Sequence, residues 1–237
     1  MSPGPAFPGW NFRVLEELFR LLPHSGSRDT VAQFFTADAL VSTWMYAAVF
    51  YLYWRMNDER TKWRRGRLLE IFLAVSLAVL ATLAFRPWIA WPAPSLVPAF
   101  QQLYPDYFWN SGNPNCFPSH STLIYLIVAA GFWPFKRWLS AVLMLLVFLL
   151  ISLPRVYVGG HYPIDVVAAI LLATLAVWAA RRISAQPRVS ELLGRLTSRN
   201  LVVEGLLFLW LFELAEGFRS GFYLLTSLAR ALRFLQQ

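Results

Sequence analysis

The chain has 237 residues, of which 57% are hydrophobic and only 14% are charged, and its formal net charge is +8. A soluble domain of this length usually carries about a quarter charged residues, so the composition indicates an integral membrane protein. The basic residues lie in short loops beside apolar runs, not in a stripe interleaved with aromatic residues, which argues against a nucleic-acid partner.

The N-terminal region, residues 1–36, is predicted to hold an amphipathic helix followed by a loop. Residues 10–22, WNFRVLEELFRLL, alternate apolar and charged side chains at helical spacing, as in a helix that lies in the membrane interface. The first thirty residues lack the continuous apolar core of a signal peptide. We therefore expect membrane insertion to depend on the internal spans.

Apolar runs in residues 37–183 predict an all-α, polytopic bundle of transmembrane helices. Each run is close to the roughly 20 apolar residues that a span needs. The predicted spans cover about 37–54, 68–85, 119–133, 138–153 and 163–180. Residues 184–237 are predicted to be helical too, either with a sixth span in LVVEGLLFLWLFELAEGF or as a pair of interfacial helices.

The basic loops predict the orientation of the bundle. The connections 55–67, 135–137 and 181–188 are rich in arginine and lysine, and all three lie at the same end of the spans. The positive-inside rule makes this end cytoplasmic. The connections 86–118 and 154–162 then face the periplasm or the cell exterior.

The longer outer connection, 86–118, is rich in Trp, Tyr and Pro and contains Cys116, the chain's single cysteine. Aromatic residues favour the headgroup layer. Here the loop either forms a lip over a lipid-facing site or serves as an interfacial anchor. One cysteine allows no internal disulfide, and no zinc site can be built from cysteines.

Polar clusters lie at the outer ends of the spans. Arg86 ends the second span, FPSHS (117–121) opens the third, and PRVYVGGHYPID (154–165) joins the fourth to the fifth. Taken singly, an arginine can be a headgroup anchor and Asp165 a favourable charge in a helix's first turn. Together, two arginines and two of the three histidines at these helix ends predict a functional site.

The residue types in these clusters suit phosphoryl transfer. Two guanidinium groups, those of Arg86 and Arg155, can hold phosphate oxygens in a bidentate manner. The third span begins near Ser119, so its free backbone N–H groups and helix dipole favour an anion in front of it. The sequence therefore predicts a phosphate pocket on the outer face.

A histidine and an aspartate are spaced to act together in this pocket. Pro163 suits the first position of the fifth helix, which puts Asp165 in the first turn, within reach of the ring of His161. A carboxylate there fixes the imidazole tautomer and supports the positive charge that develops when the other nitrogen attacks phosphorus. A second histidine, His120, can protonate the departing oxygen.

The three clusters resemble the signature of the type-2 phosphatidic acid phosphatase superfamily, which includes bacterial membrane lipid phosphatases and vanadium haloperoxidases. That signature reads lysine, six residues, Arg-Pro; then Pro-Ser-Gly-His; then Ser-Arg, five residues, histidine, three residues, aspartate. The resemblance covers roughly 37–181. Its third part is nearly complete, with Arg155, His161 and Asp165 at the family spacing and Pro154 in place of the serine.

The resemblance implies a lipid phosphatase of the bacterial inner membrane that needs no metal or other cofactor. His161 would be the nucleophile that forms a phosphohistidine, Asp165 would orient it, and His120 would be the general acid. The residues implied to bind phosphate are Arg86, Ser119 and Arg155. Undecaprenyl diphosphate is the preferred substrate, ahead of phosphatidylglycerol phosphate, phosphatidate and lipid A phosphates. A lipid phosphotransferase is a close variant.

Two departures from the signature favour a competing hypothesis, a non-hydrolytic relative that binds or carries a phosphorylated lipid. Val79 stands where the signature has lysine, and no glycine separates Ser119 from His120. One alternative is that His120 keeps its role and the position of the serine shifts by one residue. The other is that the helix starts in a different register. A shift of one residue rotates a side chain by about 100° around the helix axis. The nearly complete third motif favours the enzyme.

Overall fold

A computed structural model describes residues 9–37, 39–85, 91–98, 101, 115–197, 201–216 and 218. All regular structure in these residues is helical, as the apolar periodicity predicts. The helices are α1 (Gly9–Leu21), α2 (Gly26–Ala37), α3 (Ala39–Arg55), α4 (Thr61–Phe85), α5 (His120–Gly131), α6 (Arg137–Tyr157), α7 (Pro163–Ser184), α8 (Pro187–Leu196) and α9 (Leu201–Ala215). A 3₁₀ turn, Pro94–Leu96, lies in the outer connection.

Among the described residues, α4, α6 and α7 are the helices long and apolar enough to cross a membrane. Helix α5 is apolar as well but has 12 residues. Large apolar side chains on the three long helices project away from the core, as expected for surfaces that face lipid: Leu80, Val142, Leu145, Leu171, Leu175 and Trp178. The chain is thus a helical membrane protein, and a total of five or six spans stays a prediction.

The core forms where α4, α5 and α7 pack on one another. Helix α7 buries a row of small side chains, namely Ala169, Ala173, Ala176 and Ala180. Near the end of α5, a Cβ atom at Gly131 would overlap the side chain of Ile71 on α4. Small residues allow helix backbones in a membrane to approach closely. This packing fixes the relative positions of the helix ends that carry the polar clusters.

Helix α9 packs against α3 and joins the same core. Tyr125 of α5 donates its hydroxyl to the carbonyl of Leu214. The ring of Trp210 lies 5.1 Å from that of Phe50 and 5.0 Å from that of Phe72. Residues 201–215 are therefore a helix of the bundle. The second helix of the interfacial alternative falls in residues 219–237, outside the described residues.

Residues 9–37, the described part of the N-terminal region, form two helices where the sequence pattern predicts one. The signal for α2 is Ser25, whose Oγ accepts a hydrogen bond from the backbone N–H of Arg28 at 3.4 Å, as a helix-capping serine does. Helix α1 buries Leu15 and Phe19 against residues 156–158 at the end of α6. The apolar face of α1 is thus covered at least in part by protein.

Helix α4 begins at Thr61, earlier than the predicted start at about residue 68. The reason is Arg64, which is buried but has several partners. Its guanidinium donates to the carbonyls of Tyr53 at 2.8 Å and Met56 at 2.6 Å, and to the Asp58 carboxylate at 2.6 Å. Because these partners satisfy the charge, the helix continues through the basic segment.

Candidate active site

The N-termini of α5 and α7 meet at one end of the bundle. Ser119, the residue that precedes α5, donates its backbone N–H to the carbonyl of Asp165 in the first turn of α7, at 3.2 Å. Pro163 is the first residue of α7, as predicted. Both helices therefore present the positive ends of their dipoles at this end of the bundle, which favours an anion there.

The carboxylate of Asp165 lies beside the ring of His161. Asp165 is fully buried, and its Oδ2 accepts a hydrogen bond from the backbone N–H of Tyr162 at 2.8 Å. The same oxygen is 3.4 Å from Nδ1 of His161, longer than the roughly 2.7–3.2 Å of an ordinary hydrogen bond. The His161 side chain is 16% exposed, so a substrate can reach the ring.

Cys116 is a third side chain at this carboxylate, and the sequence motifs did not point to it. Its Sγ, a ring nitrogen of His161 and a carboxylate oxygen of Asp165 all lie within 4.8 Å of one another. Burial and the negative charge of Asp165 raise the pKa of the Cys116 thiol far above its ordinary value. The backbone N–H of Cys116 donates to the carbonyl of Trp91 at 2.8 Å, which fixes the loop beside the site.

Arg155 lies in the last turn of α6, and the chain folds back over it. Its carbonyl accepts the backbone N–H groups of Gly160 at 2.9 Å and His161 at 3.2 Å. Gly159 has a φ of 65°, a left-handed conformation that glycine adopts without strain. The buried guanidinium of Arg155 donates from Nη1 to the carbonyl of Ile151 at 3.1 Å. The structure thus joins Arg155 to His161 through the backbone.

A chain of buried hydroxyl groups ties the start of α5 to α6. Oγ of Ser119 lies 2.9 Å from Oγ1 of Thr122, which lies 2.9 Å from Oγ of Ser152. Ser152 donates in turn to the carbonyl of Val147 at 3.2 Å. The segment Val147–Ser152 of α6 is π-helical. Such π-helical turns occur frequently at functional sites.

The remaining predicted residues have different positions. His120 is the first residue of α5 and is half-buried, directly after Ser119. Arg86 lies outside the described residues. Val79, at the position of the signature's lysine, is buried in the apolar core. A valine at this position contributes to helix packing, so position 79 supplies no cation to a phosphate pocket.

The site lies where two helix N-termini of a membrane bundle meet, and it combines a buried carboxylate with a histidine that a substrate can reach. These features suit phosphate chemistry in a membrane protein. The model of the PAP2 superfamily matches residues 67–188, which are 122 of the 237 residues. The chain therefore belongs to the PAP2 superfamily, which confirms the resemblance. Members are generally phosphatases, which supports phosphatase or phosphotransferase activity on phosphate esters. No curated protein and no solved structure matches the chain.

Proposed function

We propose that the protein is a lipid phosphatase of the bacterial inner membrane that removes a terminal phosphate from a lipid phosphate or diphosphate on the extracytoplasmic face. The observation that carries this proposal is the His161–Asp165 pair, in which a buried carboxylate lies 3.4 Å from Nδ1 of a ring that a substrate can reach. Family membership supports the reaction class. The apolar outer surfaces of α4, α6 and α7 support a lipid substrate.

In the proposed mechanism His161 is the nucleophile. Asp165 faces Nδ1, so Nε2 is the nitrogen that attacks phosphorus while the bond from phosphorus to the lipid oxygen breaks. His120 donates a proton to the departing oxygen. Water then attacks the phosphohistidine, His120 takes the proton of this water, and inorganic phosphate leaves with His161 regenerated.

The phosphate itself is proposed to bind at the start of α5, with Arg86 and Arg155 as counter-charges. The first N–H groups of a helix have no partner within the helix, so they are available to phosphate oxygens. The site of Ser119 at the N-terminus of α5 supports this arrangement. The position of Arg155, whose carbonyl is bonded to the N–H of His161, supports it as well.

Undecaprenyl diphosphate is the proposed substrate, chosen by analogy with compact bacterial members of the family. The leaving group from a diphosphate is a lipid monophosphate, which needs less protonation than the alkoxide that leaves a monophosphate ester. A substrate that needs less protonation suits this site, because the glycine missing from the second motif can change the position of His120, the proposed general acid. Phosphatidylglycerol phosphate, phosphatidate and lipid A phosphates are the other substrates to compare.

Phosphate release from these four lipids by the purified protein, with EDTA present, tests the proposal. The His161→Ala variant, purified in parallel, measures any contaminating phosphatase. We expect release from undecaprenyl diphosphate that exceeds this background and does not depend on EDTA. Phosphate recovered on a second lipid would indicate the phosphotransferase. Binding of the lipids without release would indicate the non-hydrolytic relative.

The orientation needs a separate test, because Cys116 is only 3% exposed and a thiol reagent will not reach it well. In a Cys116→Ser background, Glu59→Cys reports on the basic loop and Leu96→Cys on the outer connection, since both side chains are exposed. We expect an impermeant thiol reagent to label Leu96→Cys in intact cells and Glu59→Cys only after the membrane is opened. The opposite pattern would place the site in the cytoplasm.

A further inference from the structure

Three metal-ligating atoms converge beside the N-terminus of α7. They are Sγ of Cys116, a ring nitrogen of His161 and a carboxylate oxygen of Asp165, all within 4.8 Å of one another. Thiolate, imidazole and carboxylate are the ligands that zinc takes in proteins, and three protein ligands leave the fourth tetrahedral position for water. A mixed donor set of this kind needs only one cysteine.

The spacing of the histidine and the aspartate suits a metal ion better than a direct hydrogen bond. Nδ1 of His161 and Oδ2 of Asp165 are 3.4 Å apart, beyond the roughly 2.7–3.2 Å of an ordinary hydrogen bond. Two ligands at the usual zinc–nitrogen and zinc–oxygen distances in a tetrahedral site are about 3.4 Å apart. The pair therefore already has the separation that a zinc ion requires.

The buried carboxylate gives independent evidence for a cation. Asp165 is fully buried. Among the described residues, neither its Oδ1 nor Nδ1 of His161 has a hydrogen-bond partner. Buried polar atoms are rarely left unsatisfied, and such exceptions call for an explanation. A cation coordinated by these side chains satisfies both atoms and neutralises the carboxylate.

We propose that Cys116, His161 and Asp165 bind one Zn²⁺ ion and that this ion inhibits the enzyme. Zinc displaces the thiol proton to solvent on binding. It also takes the carboxylate away from the His161 ring and occupies Nδ1, so the ring cannot carry the positive charge that develops when Nε2 attacks phosphorus. Zinc binding and turnover are therefore mutually exclusive. The inhibition rests on the proposed function, whereas the binding does not.

Zinc binding is tested with Co²⁺ on the purified full-length protein, since a thiolate–Co²⁺ charge-transfer band reports directly on Cys116. We expect this band in the wild type and its loss on addition of one equivalent of Zn²⁺. Cys116→Ser should abolish the band and weaken zinc affinity by at least about tenfold. Cys116→Ala provides a second variant, and His24→Ala, which removes a histidine of another His–Asp pair, should bind as the wild type does. A folded wild type that shows no band would overturn the proposal.

Inhibition is tested by phosphate release across a series of Zn²⁺ concentrations, with reversal by a chelator. The zinc response of each protein is measured relative to its own turnover without zinc, and Cys116→Ser should need at least about tenfold more Zn²⁺ for half-inhibition than the wild type. Equal sensitivity of the wild type and Cys116→Ser would overturn inhibition at this site. If the wild type hydrolyses none of the lipids, the proposed function fails, and the Co²⁺ measurement still decides whether the metal site exists.

Discussion

Two histidine–aspartate pairs lie within the part of the chain that the structure describes, and their surroundings differ. In the N-terminal pair, Nδ1 of His24 lies 3.0 Å from Oδ1 of Asp29, and the hydroxyl of Tyr157 donates to the same oxygen at 2.8 Å. In the second pair, His161 and Asp165 are 3.4 Å apart, and Oδ1 of the aspartate has no hydrogen-bond partner among the described residues. The first pair connects α2 to the end of α6, which is a structural role.

Neither exposure nor sequence spacing separates the two pairs. The side chains of His24 and His161 are 18% and 16% exposed, and each histidine precedes its aspartate by about one helical turn. The difference lies in burial and hydrogen bonding, because Asp165 is fully buried with an unsatisfied oxygen whereas Asp29 is 22% exposed and bonded. On this basis we expect the second pair, and not the first, to affect turnover.

The largest expected difference in turnover is between substitution of His161 and substitution of His24. His161→Ala should reduce phosphate release by several orders of magnitude, because it removes the proposed nucleophile. His24→Ala should leave turnover close to that of the wild type. Turnover is measured on undecaprenyl diphosphate, and thermal unfolding confirms that both variants are folded. Near-normal turnover in His161→Ala would contradict the covalent mechanism.

Substitution of the two aspartates should show the same contrast in turnover, with a smaller loss at Asp165 than at His161. Asp165→Asn keeps the attacking nitrogen and disturbs only its orientation and charge, so we expect a loss of at most about 10⁴-fold in kcat, the scale seen for such an aspartate in a catalytic triad. Asp29→Asn should leave kcat unchanged. Equal kcat values for the two variants would show that Asp165 has no role in positioning His161.

Loss of the His120 side chain should slow the hydrolysis of monophosphate esters more than that of diphosphates. General acid catalysis is typically worth about 10²–10⁴-fold. We therefore expect His120→Ala to slow monophosphate esters by about this factor and diphosphates much less, since a departing lipid monophosphate needs little protonation. Equal slowing of both substrate types, or of neither, would contradict the proposed acid.

A glycine inserted after Ser119 tests the register of the same helix. If His120 at the start of α5 already points at the phosphate, the insertion should lower activity. If the register is displaced relative to the family, the insertion should raise it. The comparison is made with kcat on a monophosphate ester, and unchanged activity in both this variant and His120→Ala would exclude a catalytic role for His120.

The smallest expected effect is the contribution of Asp29 to stability. Burial raises the pKa of this carboxyl, but the hydrogen bonds from His24 and Tyr157 bring it below the ordinary value of 3.8. A lowered carboxyl pKa gives stability that is present above the unfolded value and lost as the pH falls through the folded value. Below pH 3.8 we expect the unfolding temperature of the wild type to fall more steeply than that of Asp29→Asn. Parallel curves for the two proteins would show that this pair is not stabilising.

The sequence predicts those features of the fold and the site that involve residues close together in the chain. The start of α7 at Pro163 follows from proline chemistry, and the approach of Asp165 to His161 follows from a separation of four residues. The contact between Cys116 and Asp165 joins a loop to a helix far along the chain, so no periodicity reveals it. The bond between Tyr157 and the N-terminal region is missed for the same reason.

The hydroxyl chain has a consequence for how Ser119 can meet a phosphate. A carbonyl can only accept, so Ser152 must give its hydrogen to Val147 and accept one from Thr122. Thr122 then has no hydrogen left and accepts that of Ser119. The hydroxyl hydrogens of the chain are therefore ordered in one direction, away from the helix N-terminus. For Ser119 to donate to a phosphate oxygen, one bond of the chain must break, at a cost of about 0.5–1.5 kcal/mol.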